Sequence, residues 1–233
     1  GPGNPPAVVD QTADVSQAGR HIVNGASFDN TLSCVDEKTP IVVDTVADRL
    51  IQAMTAAGAY RLKEHELKRL ERVIFKELGQ PSKPGIINGE WIGKDASKIL
   101  GAIGVSVDPS IRLLIAEVPK EHSLVWTEQM MPVMPVVRVK DVDVAIDLAV
   151  RSEHKFRHTA SIHSTNVAAI TKMARAMNCS IFVANGPNYA GLGEGGEGFS
   201  SFSIASPTGE GLTRPRTFSR VRRVTVVGAL RYV

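Results

Sequence analysis

Apolar residues recur along the first sixty positions with two different spacings. In SQAGRHIVNGASFDN, Ala18, Ile22, Val23 and Ala26 fall three or four apart, the period that lines one face of an α-helix, with Asp14 or Ser16 placed as its N-cap. The β-branched run Ile41 to Val43 then predicts a strand. Asp44 is placed to cap a second helix, which carries Val46, Leu50, Ile51, Met54 and Ala57 and stops at Gly58. LKEHELKRLERVIFKELG sets Leu67, Leu70, Ile74 and Leu78 on one side of a third helix, charged on its other side and closed by Gly79 and Pro81.

The alternation continues. DASKILGAIG predicts a short helix, RLLIAEVP and VMPVVRVK two strands, and DVDVAIDLAVRSE a helix. HTASIHS, TNVAAITKMARAMN and CSIFVAN then read as strand, helix and strand, and the whole predicts a layered α/β domain. The last part changes character: a glycine-rich loop, an alternating FSSFSIAS, and a basic RVRRVTVVGALRYV whose β-branched residues predict a terminal strand. No repeat of 20 to 50 residues is visible.

Composition narrows the class. With 43% hydrophobic and 22% charged residues, and no apolar run near the roughly 20 residues of a membrane span, the chain reads as a globular protein and not a membrane one. The net charge of +3 is concentrated in RPRTFSRVRRV, which makes a nucleic-acid partner a poor expectation. Two cysteines, Cys34 and Cys179, cannot build a multi-bridge framework and have no second ligand at metal spacing, so no metal site is expected and a reducing cytosol fits. The opening GPGNPPAVVD has no initiator Met and no signal-like or Arg-rich leader, and is expected to begin a fragment or to retain Gly1 and Pro2 as a cleavage scar.

Several residues are candidates for chemistry. In ASFDNTLSCVDEK, Cys34 lies at a helix-to-strand junction, where a partly exposed thiol with a lowered pKa is a strong nucleophile. Free cysteines are also among the most often buried residues, and position alone does not overturn the buried, structural reading. Cys179, opening CSIFVAN, reads as buried filler. Gly191, Gly193 and Gly196 fit GxGxxG, but the segment that follows alternates like a strand where a dinucleotide fingerprint needs a helix, so they read as a loop. His158 and His163 flank TASI on opposite faces of one strand, so both cannot enter one site. A lone strand histidine is more often structural, although its near-neutral pKa suits proton transfer. Glu128, in WTEQMMPVMPVV, reads by itself as a surface carboxylate.

Eight segments in order, GNPPAVVD, GASFDNTLSC, GEWIGKDASKI, TEQMMPVMPVVRVKDVDVAI, RHTASIHS, KMARAMN, NGPNYAGLG and PTGEGLT, resemble the catalytic half of the CoA-acylating aldehyde dehydrogenases of propanediol and ethanolamine utilisation. The resemblance runs nearly end to end. It implies a three-layer α/β/α catalytic domain over residues 24–205. Residues 1–23 would join it to an NAD-binding half outside the chain, and residues 206–233 would form a return tail whose strand joins a partner subunit. By the same resemblance Cys34 is the nucleophile, with its backbone N–H on the oxyanion, and Glu128 holds the nicotinamide ribose, with Met130 and Met131 in place of the family's aromatic and glycine. Asn188, Tyr189 and Ala190 line the aldehyde pocket, and His158 takes part in proton transfer.

NAD and coenzyme A are the implied cofactor and co-substrate, propanal or acetaldehyde the substrate, and a homo-oligomer, dimer or tetramer, the implied assembly. The implied setting is cytoplasmic, the lumen of a bacterial microcompartment included, and the isolated fragment is expected to be inactive. Two alternatives stand beside this reading. One is a hydrolytic relative, whose water-activating glutamate in E-L-G-G-K-x-P would fall immediately before residue 1 if the motif's proline is Pro6. The other is a non-catalytic interaction module that retains the fold.

Overall fold

Successive residues of a strand point to opposite faces, and here both faces are apolar. In the structure, a computed structural model that describes residues 2–198, 200–205 and 211–228, this pattern builds one buried sheet between two helical layers. In chain order the elements are β1 (Pro6–Val9), α1 (Val15–Ala26), β2 (Thr39–Val43), α2 (Asp44–Ala56), β3 (Ala59–Arg61), α3 (Glu64–Ile74), β4 (Phe75–Glu77), β5 (Ile86–Ile87) and α4 (Ala96–Gly101). They continue with β6 (Leu113–Glu117), α5 (Ser123–Trp126), β7 (Val133–Val139), α6 (Val142–Ser152), β8 (Thr159–His163), α7 (Val167–Met177), β9 (Ile181–Ala184), β10 (Ile204–Ala205) and β11 (Gly211–Leu212).

Seven strands pair in the order β3-β6-β7-β2-β1-β8-β9, all parallel. Ala7, Val9, Val42, Leu113, Ile115, Met134 and Val136 face α1 and α2, where they meet Ile22, Val23, Leu50 and Met54. Val8, Ile41, Leu114, Val137, Ala160 and Ile162 face the other way, onto α3, α4, α6 and α7. Each fully buried aliphatic side chain in these layers contributes roughly 1.5–3 kcal/mol over its exposed state, so Leu→Ala at Leu50 or Leu114 is a costly change. Burial on both faces also explains why RLLIAEVP and VMPVVRVK read as unbroken apolar runs.

The structure corrects the sequence reading in several places. The first helix ends at Ala26, because Asp29, Asn30 and Thr31 take left-handed φ of 46°, 53° and 65°. Asp and Asn tolerate that region better than most residues. The N-cap is Asp14, whose side chain accepts from the Gln17 N–H at 3.0 Å. Asp44 is the first residue of α2 instead of its cap, and Ala57 sits at the C-cap. The third helix stops at Ile74, after which Phe75–Glu77 pairs antiparallel with β5 and Leu78 is left 50% exposed.

The expected division between residues 23 and 24 falls inside α1, and β1 lies within the sheet between β2 and β8, so the leading segment packs as part of the same layered body. The strand expected over 220–233 is absent from the described part, residues 220–228, and 229–233 lie outside the described residues. Among the described residues of FSSFSIAS, 200–205, only Ile204–Ala205 pairs, with β11. Among the described residues no helix is long and apolar enough to cross a membrane.

Candidate active site

The turn that carries Cys34 is held from three directions. Its left-handed residues bend the chain back, and Thr31 Oγ1 donates to the Ala26 carbonyl at 2.5 Å. From outside, Asn30 Nδ2 donates to Gly93 O and Asp95 Oδ1, both at 3.0 Å. From inside, the buried Lys38 Nζ donates to the carbonyls of Thr31 at 2.8 Å and Ser33 at 3.2 Å. The Ser33 N–H donates to Asp36 Oδ2 at 3.1 Å. Cys34 is half-buried and free.

Sheet order explains which side chains meet there. Strands β7, β2, β1 and β8 are neighbours, and Glu128, Cys34, Gly3 and His158 lie on the connections that enter their amino ends. Gly3 sits between two of these connections: a Cβ at this position would be 2.8 Å from the Cys34 carbonyl oxygen and 3.5 Å from His158 Cγ. Only glycine permits so close an approach. The Gly3 N–H lies near enough to the Glu128 carboxylate to lower its pKa, and that carboxylate meets no side-chain donor among the described residues. Burial raises the Glu128 pKa and Lys38 opposes the rise.

His158 is fully buried. Its backbone N–H donates to Glu153 Oε1 at 3.0 Å, its Nδ1 shares a hydrogen bond with Thr159 Oγ1 at 2.8 Å, and its Nε2 has no partner among the described residues. Burial, with Lys38 contributing, pulls its pKa down to about 4, so the imidazole is neutral at neutral pH. His163 lies at the other end of β8, with its ring 5.8 Å from that of His21. The two strand histidines therefore serve different ends of the sheet.

The segment after β9 folds back over the Cys34 turn as a 3-10 turn, Asn188–Leu192. Asn188 is buried and directs its donors inward: its N–H to Glu37 Oε1 and its Nδ2 to Val35 O, both at 2.8 Å. Ala190 and Cys34 both pack against the cluster of Val35, Ile181, Val183 and Leu192. Tyr189 lies 5.8 Å from the Phe28 ring, and both line a cavity of about 400 Å³ together with Arg112, Leu192 and Phe202. Of the three residues expected to contact aldehyde, only Tyr189 lines this cavity, whereas Asn188 ties the loop down from behind.

The sequence reading missed Gly3, Phe28 and the run Asp36-Glu37-Lys38. The last carried a legible signal, three consecutive charges between a candidate nucleophile and an apolar strand, and all three are buried. Burial pushes Glu37 up to about 8 and raises Asp36, with Lys38 pulling Asp36 back; burial lowers Lys38, with Asp36 opposing. The Cys34 thiol is raised by burial and by Glu128, and Lys38 acts the other way. Among the described residues no three His, Cys, Asp or Glu side chains cluster as a metal site. What the arrangement offers is a thiol on a fixed turn, a neutral imidazole with an open nitrogen and a carboxylate with spare acceptor capacity; the aromatic cavity is lined by none of these three.

The chain is 49% identical over its full 233 residues to the acetaldehyde dehydrogenase (acetylating) EutE of Salmonella typhimurium, covering 50% of that protein. It is 48% identical over 224 residues, 96% of this chain and 47% of the relative, to the propanal dehydrogenase (CoA-propanoylating) of Citrobacter freundii. The chain thus spans about half the length of the curated relatives it matches. Among solved structures, the propionaldehyde dehydrogenase of Rhodopseudomonas palustris with bound CoA and an acylated cysteine superposes with a TM-score of 0.88 at 50% identity, over 94% of this chain and 49% of that one. The propionaldehyde dehydrogenase of the Clostridium phytofermentans fucose utilisation bacterial microcompartment gives a TM-score of 0.88 at 43% identity, over 94% of this chain and 49% of that one. The model of the aldehyde dehydrogenase family matches residues 93–213, just over half of the chain, and the chain belongs to that family.

Proposed function

We propose that this chain is the catalytic portion of an NAD-dependent, CoA-acylating aldehyde dehydrogenase that converts a short aliphatic aldehyde, propanal or acetaldehyde, to its acyl-CoA. The observation that carries the reading is the meeting of Cys34, Glu128 and His158 around Gly3 at the amino ends of neighbouring strands. The likeness to acetylating and CoA-propanoylating relatives supports it.

In this reading Cys34 Sγ adds to the aldehyde carbonyl carbon while the Cys34 backbone N–H donates to the developing oxyanion. The thiol proton leaves to solvent on attack, and collapse of the oxyanion with loss of hydride from the former aldehyde carbon leaves a thioester on Cys34. Bound NAD supplies the hydride acceptor. Glu128 suits a ribose, because its carboxylate meets no side-chain donor among the described residues and has acceptor capacity for hydroxyl donors. The sulfur of CoA then attacks the thioester carbonyl, and its proton passes to the unpartnered Nε2 of His158. Departure of the Cys34 sulfur, which takes a proton back, releases acyl-CoA. Tyr189 and Phe28 enclose the alkyl end of the substrate.

The test uses the full-length protein with propanal and NAD. Without CoA, mass spectrometry is expected to find one propionyl group on Cys34; with CoA, NADH and propionyl-CoA form together. Free acid and NADH in the absence of CoA would overturn the acyl-transfer reading in favour of hydrolysis.

The assembly is assigned as a homo-oligomer contacted through the tail, where Phe218, Val221, Val224 and Val227 are 74%, 97%, 79% and 92% exposed and call for cover. Light scattering before and after removal of residues 220–233 checks it, a smaller particle being expected. A cytoplasmic setting, inside a microcompartment where one is made, is checked by whether the protein sediments with intact shells.

A further inference from the structure

Two consecutive buried ionisable residues that the chemistry above does not use connect its two working parts. Lys38 reaches back to the carbonyls of Thr31 and Ser33, the residue immediately before Cys34, at 2.8 and 3.2 Å. Glu37 points elsewhere: its Oε1 accepts the Asn188 N–H at 2.8 Å, one residue before Tyr189 of the cavity, and its carboxylate packs so closely on Gly25 of α1 that any Cβ there would collide with it. Both side chains are 0% exposed. Burying an ammonium costs several kcal/mol, and burying even a protonated carboxyl costs free energy unless hydrogen bonds offset it, whereas apolar side chains would fill the same space at less cost. Their geometry gives each a task. A cation donating to two carbonyls of one turn fixes that turn, and a carboxylate accepting a loop N–H fixes that loop.

We propose that Lys38 and Glu37 are positioning residues with separable roles, Lys38 setting the Cys34 turn for attack and Glu37 setting the Asn188–Tyr189 loop for aldehyde binding. This rests on the assignment of Cys34 as nucleophile and of the Tyr189 cavity as aldehyde site. A displacement of about 1 Å at a reacting atom costs on the order of 10²-fold in rate, whereas a loosened binding loop mainly weakens substrate capture. Lys38 also favours the charged form of the Cys34 thiol, so its removal slows thiol chemistry by both routes.

The experiment takes Lys38→Met, Glu37→Leu and Glu37→Gln in the full-length protein and measures kcat, the aldehyde KM and the rate of Cys34 alkylation by iodoacetamide. Lys38→Met is expected to lower kcat about 100-fold and to slow alkylation, with KM within about 3-fold. Glu37→Leu is expected to raise KM about 10-fold with kcat and alkylation nearly unchanged, the loss of one buried hydrogen bond. Glu37→Gln keeps an acceptor for Asn188 and should restore wild-type KM. Where thermal melting shows that Lys38→Met or Glu37→Leu does not fold, Lys38→Arg and Glu37→Asp read the same two parameters, with smaller shifts in the same directions. If kcat and KM move in the same proportion in both variants, or neither moves, the division of roles is wrong. If the wild-type protein makes no NADH with aldehyde and CoA, the proposed activity has failed, and alkylation alone then decides: slowed by the Lys38 variant and not by the Glu37 variant supports positioning, and any other pattern overturns it.

Discussion

Cys34 and Cys179 are both free, both half-buried, and both raised in pKa first of all by burial. Their surroundings separate them. Cys179 opens toward β9 with its thiol donating to Ile181 O at 2.9 Å, packs against the larger core, and is pushed up to about 12, with Glu153 adding to the effect of burial. Cys34 has no such acceptor for its proton among the described residues. It sits on a turn clamped by Lys38, beside Gly3 and within electrostatic reach of Glu128. Exposure alone does not distinguish a nucleophile from a filler; a fixed backbone and a nearby buried cation do.

The largest expected effect tests that contrast directly. In the full-length protein, Cys34→Ser should reduce CoA-dependent NADH formation by at least about 10⁴-fold, as removal of a nucleophile does, while Cys179→Ser stays within about 2-fold. Iodoacetamide followed by peptide mass spectrometry should label Cys34 well before Cys179. Labelling in the reverse order would remove the distinction between the two thiols.

Next in size is Gly3→Ala. The new methyl would lie 2.8 Å from the Cys34 carbonyl, so the turn or the leading strand must shift. A fall in kcat of about 10²-fold is expected, with Cys179 reactivity unchanged. Unaltered kinetics would mean that the packing of Gly3 against the Cys34 turn has no functional weight. Glu128→Gln follows, and its two readouts move apart. Loss of the carboxylate charge removes an influence that raises the Cys34 pKa, so alkylation should quicken, yet KM for NAD should rise about tenfold. Unchanged alkylation would place the carboxylate too far from the thiol to matter.

The contrast between the two cysteines also marks what could be read in the sequence. The layers were legible, because buried parallel strands read as apolar runs and amphipathic helices carry their period: Ile41 and Leu114 fall to one face of the sheet, Val42 and Leu113 to the other, although β1 itself went unread. Cys34 stood out as a candidate, but its spacing could not separate it from Cys179, and the ordered resemblance of motifs did that. The end of α1 was misplaced because the left-handed run 29–31 depends on the Asn30 bonds to Gly93 and Asp95, more than sixty residues away. The strand hidden in Phe75–Glu77 was missed for the same reason, since its partner Ile86–Ile87 gives no local signal. Asp36, Glu37 and Lys38 drew no reading of their own, because their burial depends on distant parts of the chain such as the Asn188 loop that folds back onto Glu37.

Glu37 gives the smallest and most selective test. In the fold its pKa is near 8, against about 4.5 for an unhindered glutamate. Between these values the native state holds a proton that the unfolded chain has lost, so stability falls as pH rises through that window. Gln cannot ionise. Relative to wild type, Glu37→Gln should therefore gain stability from about pH 5 to pH 8, by at most about 1.4 kcal/mol per pH unit, and the difference should be flat outside that range. His158 and His163, held near 4 and 3, act in the opposite sense below about pH 6.5, where the unfolded chain binds the extra protons; both are present in the two proteins and cancel in the difference. The apparent melting temperature of the full-length pair, followed from pH 5 to pH 9, reads the effect. Two curves that run parallel would show that Glu37 is already ionised in the fold, and a charged carboxylate beside Gly25 would then need a cation other than the one holding the Cys34 turn.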